Sequence, residues 1–241
     1  MAGCRLNLDA IAASLRELQR AFPRINEQLQ SRRDRLDDAV IGNLLIGYDF
    51  VDRALADGVD LLAFGNLKHI LEMNTLVLCG NDREARLGSA RHIEATAQRF
   101  WDYSGGGIRD VVEWHERHRG ESAWRRAAGV YIRVLSEPQL YIEGNHRTGA
   151  LIMSYLLARD GRPPFVLTVE NAAGYFDPST LVTRTSKNGA TILFRMPRLK
   201  RYFADYLKTQ TDPKHLLVDA SPAPLARESD QATPSEAAVQ G

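Results

Sequence analysis

The chain has 241 residues, 44% hydrophobic and 25% charged, with 31 Lys plus Arg against 30 Asp plus Glu for a net charge of +1. That is enough apolar material to bury a sizeable core without disulfide or metal staples, in one large domain or a domain with appended arms. The near-neutral balance points away from nucleic acid and from an anionic membrane, so any anion site has to be a local feature.

The first 35 residues predict an amphipathic helical arm, with Leu6, Ile11, Leu15 and Leu18 on one side and Pro23 breaking it. This N-terminus lacks the long apolar stretch of a signal peptide, and no apolar run reaches the length of a membrane span. Cys4 and Cys79 are the two cysteines, at no metal-ligand spacing and in no disulfide framework. The cytoplasm is the expected location, with delivery by a secretion system that uses no cleaved signal left open. Residues 31–38 (SRRDRLDD) are a dense charge run, suited to a solvated helix face or a linker.

From residue 39, Ile41, Leu44, Leu45, Tyr48 and Val51 fall on one helical face, ending near Gly58. Leu67, Ile70, Leu71, Asn74 and Leu78 repeat that spacing over 66–78. Residues 81–104 are less regular and predict a short hairpin or extended flap, closed by SGGG at 104–107. A helix follows over 108–119 with Val111, Val112 and His115 inward, then a clear stripe of Trp124, Ala127, Ala128, Tyr131, Val134 and Leu135. Pro138 breaks that helix, and another starts near Arg147, carrying Leu151, Ile152, Tyr155 and Leu156 to Gly161. Residues 165–169 (FVLTV) predict a short strand or extended arm, with 191–194 as its partner, and 199–207 a last helix. The tail from Ser221, rich in Ser, Pro, Ala and Gln, is expected to be disordered.

The loop between the two best helices concentrates unusual residues: Glu143, Gly144, Asn145, His146, Arg147, Thr148 and Gly149. A glycine-containing loop that runs into a helix N-terminus leaves backbone N–H groups without intrahelical partners, and the helix dipole adds positive potential there. Gly144 permits a backbone geometry closed to other residues. Arg147 offers a planar, permanent cation to phosphate oxygens, and Glu143 a hard oxygen ligand for Mg2+. The same residues also suit a plain polar turn, with Glu143 as a first-turn charge and Arg147 at the surface.

Residues 139–150 (QLYIEGNHRTGA) resemble the H-x-F-x-[D/E]-G-N-G-R-x-x-R loop of the Fic/Doc (Fido) family, matching at Tyr141, Glu143, Gly144, Asn145 and Arg147. The flanks are suggestive from about Leu36 to Tyr175. The resemblance implies a mainly α fold, a Fic-like helical domain over 36–207 with a small β-hairpin flap, between an N-terminal helical arm (1–35) and a flexible C-terminal tail (208–241). It implies Mg2+ at Glu143 and nucleotide phosphates at Gly144, Asn145 and Arg147, with Thr148 and Gly149 completing the phosphate-binding stretch. ATP or another nucleotide is the implied substrate, and a protein hydroxyl the implied target. No nucleic acid or membrane partner is expected, and no oligomeric state is specified.

Three departures matter. Gln139 stands where the family has its histidine general base, and glutamine has no useful basicity near neutral pH. Ala150 stands where the family has a last arginine. His146 replaces the second glycine, where related Doc toxins carry lysine and transfer the terminal phosphate. His146 is therefore the first candidate for a phosphate contact or an acid/base group, ahead of His69, His92, His115 and His118. Arg83, Arg86 and Arg91 fall in or near the expected flap. No inhibitory-helix motif of the form [S/T]-x-x-x-E-[G/N] is present.

The first functional expectation is a nucleotidyl- or phosphoryl-group transferase, most simply moving AMP from ATP to a protein hydroxyl. The second is a noncatalytic Fic-fold binding or regulatory protein, favoured by Gln139 and Ala150. The third is a small-molecule enzyme that reuses the anion-binding loop.

Overall fold

The computed structural model describes residues 4–187 and 191–218. Among these residues, ten α-helices and one two-stranded antiparallel sheet form the regular structure, a mainly α architecture with a small β element. Strand β1 (Cys4–Leu6) leads into α1 (Leu8–Gln28), and a linker over 29–37 connects α1 to α2 (Asp38–Ala56). Helices α3 (Leu67–Cys79), α4 (Arg83–Gly88), α5 (Ala90–Phe100), α6 (Ile108–Arg117) and α7 (Ala123–Leu135) follow. Then come α8 (Asn145–Arg159), α9 (Ala172–Thr183), α10 (Thr191–Gln210) and β2 (Leu216–Val218).

Helix α8 is the centre of the core. Every residue from Thr148 to Ala158 is buried, because α7, α2 and α3 all pack against it. A helix surrounded in this way must be apolar or small on all sides, and TGALIMSYLLA meets that demand. Gly149 sets the closeness of α7 and α8: a Cβ there would lie 2.9 Å from the Tyr131 ring. The periodicity of α2 places Ile41, Leu44, Tyr48 and Val51 in the core, and that of α3 places Leu67, Ile70 and Asn74 there. Leu45, Leu71 and Leu78 are half-buried at the edges of the same faces.

The sheet joins the two ends of the described chain, with Cys4 opposite Val218 and Leu6 opposite Leu216. The buried Asp52 of α2 ties it to the core, accepting from the Arg5 guanidinium and, at 2.7 Å, from the Leu6 N–H. Burial pushes the Asp52 carboxyl upward, but Arg5 and that N–H outweigh it and hold the group below its ordinary value.

Several local expectations are corrected. The β element is not a flap at 81–104; that stretch is α4 and α5, since Asp82 caps α4 by accepting from Ala85 N, and Thr96 and Phe100 bury one face of α5. Pro23 does not break α1. It sits on the exposed side while Ile11, Leu15, Leu18 and Phe22 anchor the opposite face, which offsets the roughly 3 kcal/mol that an interior proline costs. Residues 165–169 do not pair as a strand: the Phe165 carbonyl accepts instead from the hydroxyls of Tyr48 and Ser154. Residues 191–194, expected as the partner strand, begin α10. Residues 208–210 close α10 and 216–218 form β2; the tail expected from residue 221 lies outside the described residues.

Candidate functional site

The loop between α7 and α8 is fastened at nearly every residue. Leu140 N–H donates to the Val134 carbonyl, and the Gln139 carbonyl accepts from Arg99 Nε at 2.9 Å. Tyr141 is buried, its ring stacked on Phe100 at 5.7 Å and its hydroxyl donating to the Ile70 carbonyl. The Asn145 side chain closes the turn from inside: Oδ1 accepts from Tyr141 N–H, while Nδ2 donates to the Tyr141 carbonyl and to Gln139 Oε1. Asn74 of α3 donates to the Glu143 carbonyl and to Thr148 Oγ1.

Gly144 caps α8 at φ +76°, and a Cβ there would come within 2.8 Å of Asn74 Nδ2. Left-handed backbone and close contact both demand glycine. A glycine cap brings no side-chain acceptor, so the first N–H groups of α8 have no capping partner.

That uncapped start opens on a cavity of about 560 Å³. Gln139, Glu143, Gly144, Asn145, His146 and Arg147 all line it. Thr148 and Gly149, expected to bind phosphate, are fully engaged elsewhere: Thr148 is buried against Asn74, and Gly149 faces Tyr131. Asn145 lines the cavity, but its side-chain amide already makes three hydrogen bonds within the loop. Gln139 is likewise held by Asn145 at 3.0 Å.

His146 is set by a chain of hydroxyls. Ser179 donates its one proton to the Tyr175 carbonyl at 2.5 Å. The Tyr131 hydroxyl therefore donates to Ser179 Oγ at 2.6 Å, and His146 Nδ1, 3.3 Å from the same Tyr131 oxygen, is the donor to it. The imidazole lone pair is thereby assigned to Nε2, which makes no hydrogen bond among the described residues. Burial, with the nearby Arg33 cation, pushes the His146 pKa down to about 4, so the ring is neutral at physiological pH.

Arg147 donates from Nη1 to the Val77 carbonyl at 2.7 Å, leaving Nε and Nη2 without a partner among the described residues. Burial lowers its pKa, and the carboxylates of Glu143, Asp34 and Asp37 oppose that shift. The Glu143 carboxylate is 65% exposed, with His92 Nε2 at 3.9 Å. Among the described residues no group of three or more His, Cys, Asp or Glu could hold a metal ion unaided. Glu143 nonetheless fits Mg2+ that arrives with a nucleotide, an ion that takes one or two carboxylates, phosphate oxygens and water.

The other candidates lie elsewhere. His69 packs near Phe50, His118 stacks on Trp114, and His115 is buried beside Glu116 and Asp60. Arg86 fastens α4 to α3 through the Gly80 carbonyl and Glu72, while Arg83 and Arg91 are exposed on α4 and α5.

The residues not anticipated are those of the linker. Arg33, Asp34, Leu36 and Asp37 form a second wall of the cavity, facing the motif loop. The only signal in the sequence was the charge run itself, which reads alike whether solvated or lining a cleft.

No family model matches the chain, and no solved structure gives a significant match. Two curated relatives match, each named protein adenylyltransferase fic-1, from Caenorhabditis elegans and Caenorhabditis briggsae. Each is 30% identical over 118 residues, covering 46% of this chain. The match spans only 23% of the length of either relative. The chain is therefore distantly similar, over less than half of its own length, to relatives named for the Fic family.

Proposed function

We propose that the cavity binds the polyphosphate of a nucleotide such as ATP, and that the protein transfers a phosphate-containing group from it, most simply AMP, to a hydroxyl of a protein target. The observation that carries this reading is the neutral His146, whose Nε2 lone pair is unengaged in the same cavity as the uncapped start of α8 and Arg147. Phosphoryl-type transfer needs positioning and charge stabilisation above all. The first-turn amides of α8 and the free Nε and Nη2 of Arg147 supply donors for phosphate oxygens. The target oxygen attacks the α-phosphorus, the bond from phosphorus to the pyrophosphate oxygen breaks, and the hydroxyl proton passes to His146 Nε2. Mg2+ brought by the nucleotide would be held by Glu143 and would supply countercharge to the phosphates.

Similarity to relatives named adenylyltransferases agrees with this direction. A second reading, nucleotide binding without transfer, has its own support. Gln139 cannot take a proton, and its amide oxygen is committed to Asn145.

The test is incubation of the full chain with Mg2+ and ATP labelled at the α- or at the γ-phosphate, together with a cell extract as the source of targets. Label carried onto protein by wild type and lost in His146→Ala is the expected result. No label from either position, with nucleotide still bound, would leave the binding reading in its place.

A further inference from the structure

The linker between α1 and α2 supplies a cation that nothing in the motif loop calls for. Arg33 is held before any ligand arrives. Its N–H donates to Asn26 Oδ1 at 2.7 Å, and its carbonyl accepts from Asn26 Nδ2 at 2.8 Å. Its Nη2 donates to the Phe176 carbonyl at 2.9 Å and to Thr180 Oγ1 at 2.6 Å, and the guanidinium lies over the Phe176 ring at 5.4 Å. Among the described residues no carboxylate forms an ion pair with it, although Asp34 and Asp37 stand on the same linker and line the same cavity. Nε is buried without a partner, and Nη1 donates to no group among the described residues. A guanidinium that is anchored, partly desolvated and unpaired is costly to keep unless an anion meets it.

The group lines the same cavity as His146 and Arg147. Its anchors are on α9, whereas Arg147 is anchored on α3 through Val77. Arg33 and Arg147 are therefore anchored on different elements, although both line the cavity, as does Arg35 of the same linker. We propose that Arg33 is a ligand-binding residue of this cavity, whose free Nη1 contacts a phosphoryl group of the bound nucleotide from the linker wall and so makes affinity depend on the number of phosphates. This rests on the nucleotide reading given above. It makes the N-terminal segment part of the binding site rather than a separate arm, because Arg33, Asp34 and Asp37 reach the cavity only through the packing of α1 and the linker against α2 and α9.

The experiment is calorimetric titration of adenosine, AMP, ADP and ATP, with Mg2+, into the full chain as wild type, Arg33→Gln and Arg33→Lys. Thermal melts of each variant establish that it is folded. Wild type should bind more tightly as phosphates are added. Arg33→Gln should lose roughly tenfold to hundredfold for ATP, the worth of one charge-assisted hydrogen bond, and almost nothing for adenosine. Arg33→Lys should fall between, since lysine keeps the charge without the planar fork. A purely structural role for Arg33 would lower affinity equally across the series, adenosine included, and would overturn the proposal. So would unchanged affinities in Arg33→Gln beside a wild type that binds ATP. A wild type that binds none of the four would overturn the nucleotide reading and this inference together.

Discussion

The side-chain amide of Asn145 donates to Oε1 of Gln139 across 3.0 Å, and the same side chain both donates to and accepts from the backbone of Tyr141. The residue standing where a general base is expected is thus part of the turn's internal scaffold, yet it still lines the cavity. An imidazole at this position can accept from Asn145 through one nitrogen and present the other to the cavity. Gln139→His is therefore expected to keep the loop and to raise AMP transfer above the level that His146, a weak base at a pKa of about 4, supports, by at most the roughly 10²–10⁴-fold that a full general base contributes. The check is single-turnover transfer of label from ATP to protein. No gain, with the variant folded and binding ATP as wild type does, would place the obstacle outside residue 139.

His146 gives a pH signature separate from activity. Burial holds His146 and His215 at about 4, helped by Arg33 and Lys214 respectively, and burial also lowers His115. An unfolded histidine titrates near 6.5. Between these values the unfolded chain binds protons that the folded chain does not, so stability falls as pH drops from about 6.5 toward 4 and is flat above that window. His146→Gln should flatten this slope by up to about 1.4 kcal/mol per pH unit, the effect of one proton. Urea unfolding midpoints measured from pH 7 to pH 4 check this, and an unchanged slope would contradict the buried neutral imidazole.

Asn74 links α3 to both ends of the glycine cap, through the Glu143 carbonyl and Thr148 Oγ1, and it is buried. Asn74→Ala leaves two acceptors unpaired. A loss of about 1–3 kcal/mol of stability is expected for each buried group stranded, along with weaker ATP binding as the start of α8 loosens. Denaturant unfolding and calorimetry on the same variant separate the two effects. Tight binding in a destabilised variant would show that the cap does not depend on Asn74.

Asp52 holds the terminal sheet. Asp52→Ala strands the Leu6 N–H and removes the ion pair to Arg5, which is half exposed. A loss of about 1–3 kcal/mol is expected, since it is the buried N–H that suffers most. The folded carboxyl titrates below its ordinary value, so its contribution is complete above the unfolded Asp pKa and is lost as acid takes the pH down through the folded one. Thermal melts at pH 7 and at pH 3 check it: the gap between wild type and variant should narrow in acid.

The parts of the fold that sequence made legible are those where burial imposes a period. The stripes of Ile41 to Val51 and of Ala127 to Leu135 sit in the core because a helix with one apolar face has one way to bury it. The motif loop was legible because Gly144 is required by its backbone and Tyr141 by its burial. Other features depend on distant partners and leave no local trace. The Phe165 carbonyl satisfies itself on Tyr48 and Ser154, so a β-like run forms no strand. The linker's charges gain meaning only when α1 and α2 bring them over the start of α8. Thr148 and Gly149, adjacent in sequence to residues that line the cavity, are not in its lining because successive helical residues turn by about 100°.

The most direct measurement is calorimetric titration of ATP with Mg2+ into wild type and Arg147→Ala, both shown by thermal melts to be folded. Arg147 lines the cavity with Nε and Nη2 unengaged. Wild-type binding that weakens by about tenfold to hundredfold in the variant is the predicted result. Wild-type binding that survives the substitution unchanged, or no binding of ATP by wild type, would contradict a nucleotide site at the start of α8.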